Sequence, residues 1–200
     1  MKKFNIVLLL ALLGGFSVAN AQSNTPDGIY IKSADIAKHE VSFPINPVNK
    51  SDKIVLNNFF NGGHIQVTNN GRKKEMNKKE IFGYRYQQQD YRLFNNTPYK
   101  IIDTSGFYLY SHEQLAPQGK GYITVKVLYF SLNPDGKLFK LTLDDLYKAF
   151  INNDKFRYAL ESEFHTNDDL TVYDSYARMY KVKHVFMSNA PQKQVYSQVK

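Results

Sequence analysis

The stretch GYITVKVLYFSLNPDGKLFKLTLDDLYKAFI, residues 121–151, contains the change of period that decides the fold. In its first part Ile123, Val125, Val127 and Tyr129 alternate with Thr124 and Lys126, the pattern of a strand that buries one face and wets the other. Asn133-Pro134-Asp135-Gly136 then sets Pro in a type I turn with Gly in the left-handed region. After Leu141 the period changes. Leu143, Leu146, Tyr147, Phe150 and Ile151 form one helical stripe, Thr142 is placed to cap it, and Asp144 and Asp145 sit where the helix dipole favours negative charge.

Upstream, short aromatic and β-branched runs recur between turn residues, which predicts an antiparallel meander. Strands are expected over 28–32, 53–59, 64–68, 80–86, 90–94, 99–102, 107–111, 121–131 and 137–141. Asn69-Asn70-Gly71 reads as a hairpin turn. Pro44 and Pro47 break 33–52 into loop or edge strand. Lys73, Lys74, Lys78 and Lys79 around Glu75 and Met76 read as a solvated hairpin arm, with an anionic docking patch as the alternative. Downstream, Asn152-Asn153-Asp154 interrupts the helical phase and Phe156, Leu160 and Phe164 begin a second stripe, giving two helices that meet at a kink. Residues 170–187 read as a third helix, although Tyr180, Val182, His184 and Phe186 also alternate like a strand. The expected architecture is α+β: a curved sheet or partly open barrel over 27–141, packed against two to three helices over 142–187, in one domain spanning 22–189.

The start of the chain reads as an export signal. Lys2 and Lys3 precede an apolar run from Ile6 to Phe16, and Ala19-Asn20-Ala21 is a small-x-small cleavage pattern that places the mature start at Gln22. The run is shorter than the roughly 20 residues a bilayer requires, so no transmembrane segment is expected in the mature chain. Residues 190–200 read as a mobile tail. The expected location is periplasmic or extracellular.

The formal charge of the 200-residue chain is +8, and the excess lies in residues 22–100, which carry 12 basic and 7 acidic side chains against 12 and 11 in 101–200. Lys (21) far outnumbers Arg (5) and the chain is read as exported, so nucleic acid is set aside as a partner in favour of an anionic glycan or envelope component. With no Cys there is no disulfide, thiol nucleophile or thiolate metal site. Tyr (15) and Phe (14) supply much of the apolar surface.

Asp27-Gly28-Ile29-Tyr30, Glu80-Ile81-Phe82-Gly83-Tyr84-Arg85, Tyr91-Arg92-Leu93-Phe94, Tyr99-Lys100-Ile101-Ile102 and Phe107-Tyr108-Leu109-Tyr110 resemble a group of exported Bacteroidota proteins of about the same length. The similarity continues through 141–150 and 173–183. The resemblance implies a cell-envelope or secreted setting in a Gram-negative bacterium and carries no known activity.

Candidate chemistry centres on Arg85 and Arg92. A four-residue loop over Gln87 to Asp90 would set Tyr86 opposite Tyr91, Arg85 opposite Arg92 and Tyr84 opposite Leu93. Two guanidinium groups side by side require a counter-anion: either a carboxylate of the protein, with Glu40, Glu80 and Asp103 as candidates, or a ligand carboxylate, sulfate or phosphate. His39, His64, His112, His165 and His184 form no compact zinc pattern, and His165 with Asp168 and Asp169 fits a helix junction better than a metal site. Glu161 and Glu163, two apart on a helix, point away from each other. No nucleophile elbow, phosphate loop or dinucleotide fingerprint occurs, and no metal or cofactor is expected. The sequence points to a non-catalytic module for an anionic or glycan ligand. A structural or protein-interaction component, and a hydrolase with an unrecognised site, are the alternatives.

Overall fold

The computed structural model describes residues 25–46, 48–56 and 62–189. The export signal, its cleavage point at Ala21 and Gln22, the tail 190–200 and the end of the strand expected over 53–59 lie outside the described residues. In chain order the elements are β1 (Gly28–Tyr30), α1 (Ser33–Lys38), β2 (Phe43–Pro44), β3 (Lys53–Val55), β4 (His64–Asn69), β5 (Arg72–Asn77), β6 (Gly83–Tyr86), β7 (Gln89–Phe94), β8 (Thr97–Asp103), β9 (Tyr108–Gln118), β10 (Gly121–Ser131), β11 (Phe139–Lys140), α2 (Leu143–Ala149), α3 (Asp154–Glu163), β12 (Tyr173–Asp174), β13 (Met179–Tyr180) and α4 (Lys181–Asn189).

The class is α+β, and the strands of the expected meander divide between two sheets. Eight antiparallel strands form an open sheet in the order β11-β10-β9-β8-β7-β6-β1-β2, so β6 to β11 run as a meander and β1 with β2 completes one edge. Strands β3-β4-β5 form a separate sheet. The eight-stranded sheet does not close, so of the two expected forms, a curved sheet or a partly open barrel, the open sheet is the one found. Two-residue turns set the registers: Gln87-Gln88, Asn95-Asn96 and Asn70-Gly71 all have positive φ at both positions, the conformation that matches strand twist in a tight hairpin.

Each face of the large sheet is covered differently. On the first face, Leu109, Leu128 and Phe130 pack under α2, α3 and α4 through a knot of rings in which Phe107, Phe150, Phe156 and Phe186 meet edge to face at 5.0–5.5 Å. Further along the same face, Ile29, Tyr84 and Leu93 pack against Ile54, Ile65, Val67 and Met76 of the three-stranded sheet. On the second face, Tyr30, Ile101 and Tyr110 are covered by Ile36 of α1 and by Leu138. The first face therefore carries two separate caps.

Several expectations change. Residues 33–52 contain the helix α1 as well as the edge strand β2; the helix is six residues long, too short for a hydrophobic period to announce it. Residues 170–187 begin in the short 3-10 turn Asp169–Thr171, pass through the hairpin β12–β13 and become α-helical only at Lys181, so Tyr180 ends a strand and Val182 faces the core from α4. Of the lysine-rich arm, Lys73 and Lys74 lie exposed on β5, an edge strand whose charges deter further pairing, whereas Lys78 and Lys79 fall in the 3-10 turn Lys78–Glu80 and Lys78 is buried. Gly136 is not among the left-handed residues, and the turn is closed by its own N–H to the Asn133 carbonyl at 3.1 Å. The two helices after Leu141 form as expected, with Thr142 Oγ1 accepting from Asp145 N and Asn153 Oδ1 from Phe156 N.

Candidate functional site

Arg85 and Arg92 are close, but in another register. The loop between β6 and β7 is two residues long, so Arg85 pairs with Asp90, Tyr84 with Tyr91 and Gly83 with Arg92. Asp27 stabilises this turn by accepting from the N–H groups of Gln87 and Gln88 at 2.8 and 3.3 Å. The expected Arg85–Arg92 opposition is thereby replaced by a diagonal placement on the second face. Residue 83 has to be small for this: a Cβ on Gly83 would lie 2.0 Å from the Tyr91 carbonyl oxygen.

The counter-anion of Arg85 is its cross-strand neighbour and none of the three expected carboxylates. Arg85 Nη1 donates to both oxygens of Asp90 at 2.8 Å, and Tyr30 Oη donates to Asp90 Oδ1 at 2.8 Å. Burial alone would lower the Arg85 pKa, but the hydrogen bond and charge of Asp90 outweigh it and the guanidinium is held above its ordinary value. Burial, then the Asp90 hydrogen bond and charge, push the Tyr30 phenol upward. Arg92 is 3% exposed and has no ion pair among the described residues. Its Nη2 donates to the Gly136 carbonyl at 2.7 Å, its Nη1 to Tyr110 Oη and Ser131 Oγ at 3.3 and 3.4 Å, and the rings of Phe82, Phe94 and Tyr110 surround it at 5.4–5.7 Å. Both arginines thus face the interior: Arg85 bonds across the β6–β7 hairpin to Asp90 and Gln88, and Arg92 ties β7 to β9, β10 and the 132–138 segment.

The first face has a gap between its two caps. Pairing carries one row of residues straight across six strands: Ile29, Tyr84, Tyr91, Lys100, Ser111, Leu128. The two ends of the row are buried, Ile29 under the small sheet and Leu128 under the helices. Its centre is polar and borders a groove of about 350 Å³ lined by Tyr91, Pro98, Lys100, Ser111, His112 and Glu113. That volume is in the range of small-molecule sites. Among the described residues, Lys100 and Glu113 make no ion pair and the Ser111 side chain makes no hydrogen bond. Tyr91 is half-buried with its ring stacked on Tyr84 at 4.9 Å. Burial and then the nearby Glu113 charge raise the Tyr91 pKa, so its hydroxyl stays a donor through neutral and mildly alkaline pH. Ser111 and His112 are consecutive in β9 and point to opposite faces, and His112 Nδ1 lies 3.1 Å from the Pro98 carbonyl. They are not arranged as nucleophile and base.

A second cleft, of about 450 Å³ beside α3 and α4, is lined by charges that are already matched: Lys181 with Glu163 at 3.0 Å and His184 with Asp174 at 3.5 Å. Asp169 accepts from the N–H groups of His165 and Thr166 in the segment between the end of α3 and the three-residue 3-10 turn Asp169–Thr171. Among the described residues no three His, Asp or Glu side chains are grouped to hold a metal, and no helix is long and apolar enough to cross a membrane.

Comparison with known proteins finds no matching family model, no similar curated protein and no similar solved structure. The groove residues had one faint mark in the sequence: Lys100 interrupts the apolar run from Tyr99 to Ile102, and Ser111 and Glu113 interrupt the next. Only the register brings them together.

Proposed function

We propose that the protein is an exported binding module whose ligand is an acidic saccharide, held in the groove on the first face of the sheet. The observation that carries this reading is the polar centre of an otherwise covered row: Lys100, Ser111 and Glu113, whose side chains have no ion-pair or hydrogen-bond partner among the described residues, beside the aromatic wall of Tyr91. Lys100 is placed to attract a carboxylate or sulfate, Glu113 and Ser111 to bond sugar hydroxyls, and Tyr91 to pack against the ring. The export signal and the resemblance to envelope and secreted Bacteroidota proteins support a setting where acidic polysaccharides are present. The deeply buried Arg85 and Arg92 act here as supports for the sheet.

The test is calorimetric titration with uronic-acid oligosaccharides and their neutral counterparts. Binding of the acidic series, weakened at least tenfold by Lys100→Ala and by high salt, is the expected result. Equal binding of both series, or none of either, overturns the reading.

A further inference from the structure

The hairpin of β9 and β10 continues beyond the rest of the sheet. Strand β8 pairs with β9 only as far as Ser111, and on the other side β11 pairs with β10 at Tyr129 and Phe130. Past those points the backbones pair only with each other, through Gly121↔Gln118 to Val127↔His112, while at the base of the arm the Lys126 side chain donates to Tyr180 Oη at 2.9 Å and His112 Nδ1 lies 3.1 Å from the Pro98 carbonyl. Here the alternation of Ile123, Val125 and Val127 only partly buries a face: Val125 and Val127 are half-buried, whereas Ile123 is 41% exposed, and on the other face Leu115 is 69% and Tyr122 73% exposed. Among the described residues, nothing pairs with the outer edges of this arm.

The two edges are not equivalent. Pro117 lies opposite Tyr122 and has no N–H, so this is a pair without mutual hydrogen bonds, and the N–H and C=O of Tyr122 turn away from β9. The same phase turns Thr124 and Lys126 outward. It is confirmed at Leu128, whose carbonyl accepts from Leu141 N at 2.9 Å on that outer side. The β9 edge is thus interrupted by proline, whereas β10 presents an unbroken set of donors and acceptors from Tyr122 to Lys126 on a strand rich in β-branched residues. An open edge of this kind recruits another strand.

We infer that the occupant is a second copy of this chain, joined edge to edge and antiparallel about a two-fold axis at Thr124. The free stretch 121–127 is centred on that residue. In this register Thr124 meets its own copy, Ile123 meets the partner's Val125, and Tyr122 meets the partner's Lys126. The outward groups of Tyr122, Thr124 and Lys126 are those that an antiparallel pair uses, so all of them bond reciprocally. No like charges oppose, and each lysine lies beside a tyrosine ring. The two arms then form one continuous ribbon between the subunits. This inference does not depend on the saccharide reading.

Sedimentation of the exported, purified protein over a wide concentration range tests it, with two proline variants. Thr124→Pro removes an outward N–H and is expected to give a monomer with unchanged melting temperature, its dimer dissociation constant raised at least tenfold. Leu115→Pro blocks the β9 edge in the same way and is expected to leave the dimer intact. Because the protein has no cysteine, Thr124→Cys reads the register independently: oxidation is expected to crosslink two copies, whereas Ile123→Cys is not. A monomer at every concentration, a dimer that survives Thr124→Pro, a dimer lost in Leu115→Pro, or a Thr124→Cys chain that stays uncrosslinked overturns the inference.

Discussion

Tyr91 and Arg92 are neighbours in β7, yet their surroundings are opposite. Arg92 enters the second face, where a carbonyl, two hydroxyls and three rings surround its charge, and beside it Asp90 neutralises Arg85. Tyr91 enters the first face, where Lys100 and Glu113 border the groove and neither makes an ion pair among the described residues. A charge removed from water must be satisfied by the protein itself, whereas one at a groove can be left for something else. The contrast supports reading the two arginines as supports of the sheet, and it is the ground for proposing the groove on the first face as the binding site.

Substitutions should divide along the same line. The largest effect is expected for Gly83→Val, because β7 passes too close to β6 for any side chain; we expect a loss of about 5 kcal/mol or failure to fold, read by urea denaturation. Asp90→Asn leaves Arg85 buried without its counter-charge and is expected to cost about 3 kcal/mol with an unchanged denaturant slope. A loss below 1 kcal/mol would show that the pair contributes little.

Lys183 sharpens the comparison on the helical cap. It lies on the buried side of α4, fully buried, donates to the carbonyls of Ser105 and Phe107, and lies 3.5 Å from Asp103. Burial, opposed by Asp103, brings its pKa down to about 8. The unfolded lysine holds its proton up to its ordinary value near 10.5, so between these pH values the unfolded state binds more protons and stability rises with pH. The rise is expected to be on the order of 1–2 kcal/mol and to be absent in Lys183→Met. Above about pH 10 the raised phenols of Tyr30 and Tyr110 act in the opposite direction, since unfolding frees them to ionise. The smallest effect is expected for Lys100→Ala, which should change stability by less than about 0.5 kcal/mol because this exposed side chain makes no ion pair or hydrogen bond among the described residues.

Much of the architecture was legible where period and turn chemistry agree. The alternation before Ser131 and the stripe after Leu141 gave the α+β class, and Asn70-Gly71 gave the β4–β5 turn. The site was less legible because it depends on register. Gln87-Gln88 carries no glycine or asparagine to announce a tight turn, so the hairpin reads two residues too wide and Asp90 is assigned to the loop instead of facing Arg85. The division of the strands into two sheets was invisible for a related reason: alternation shows that a strand has a buried face and says nothing of which layer covers it.

The central claim, that the groove binds the ligand and the arginine cluster supports the sheet, is tested most directly by one paired titration. An acidic disaccharide is titrated into Lys100→Ala and into Arg92→Met, each first shown to be folded. The account predicts that Lys100→Ala loses binding and Arg92→Met retains the affinity of the unaltered protein. Retained affinity in Lys100→Ala together with loss in Arg92→Met would contradict it.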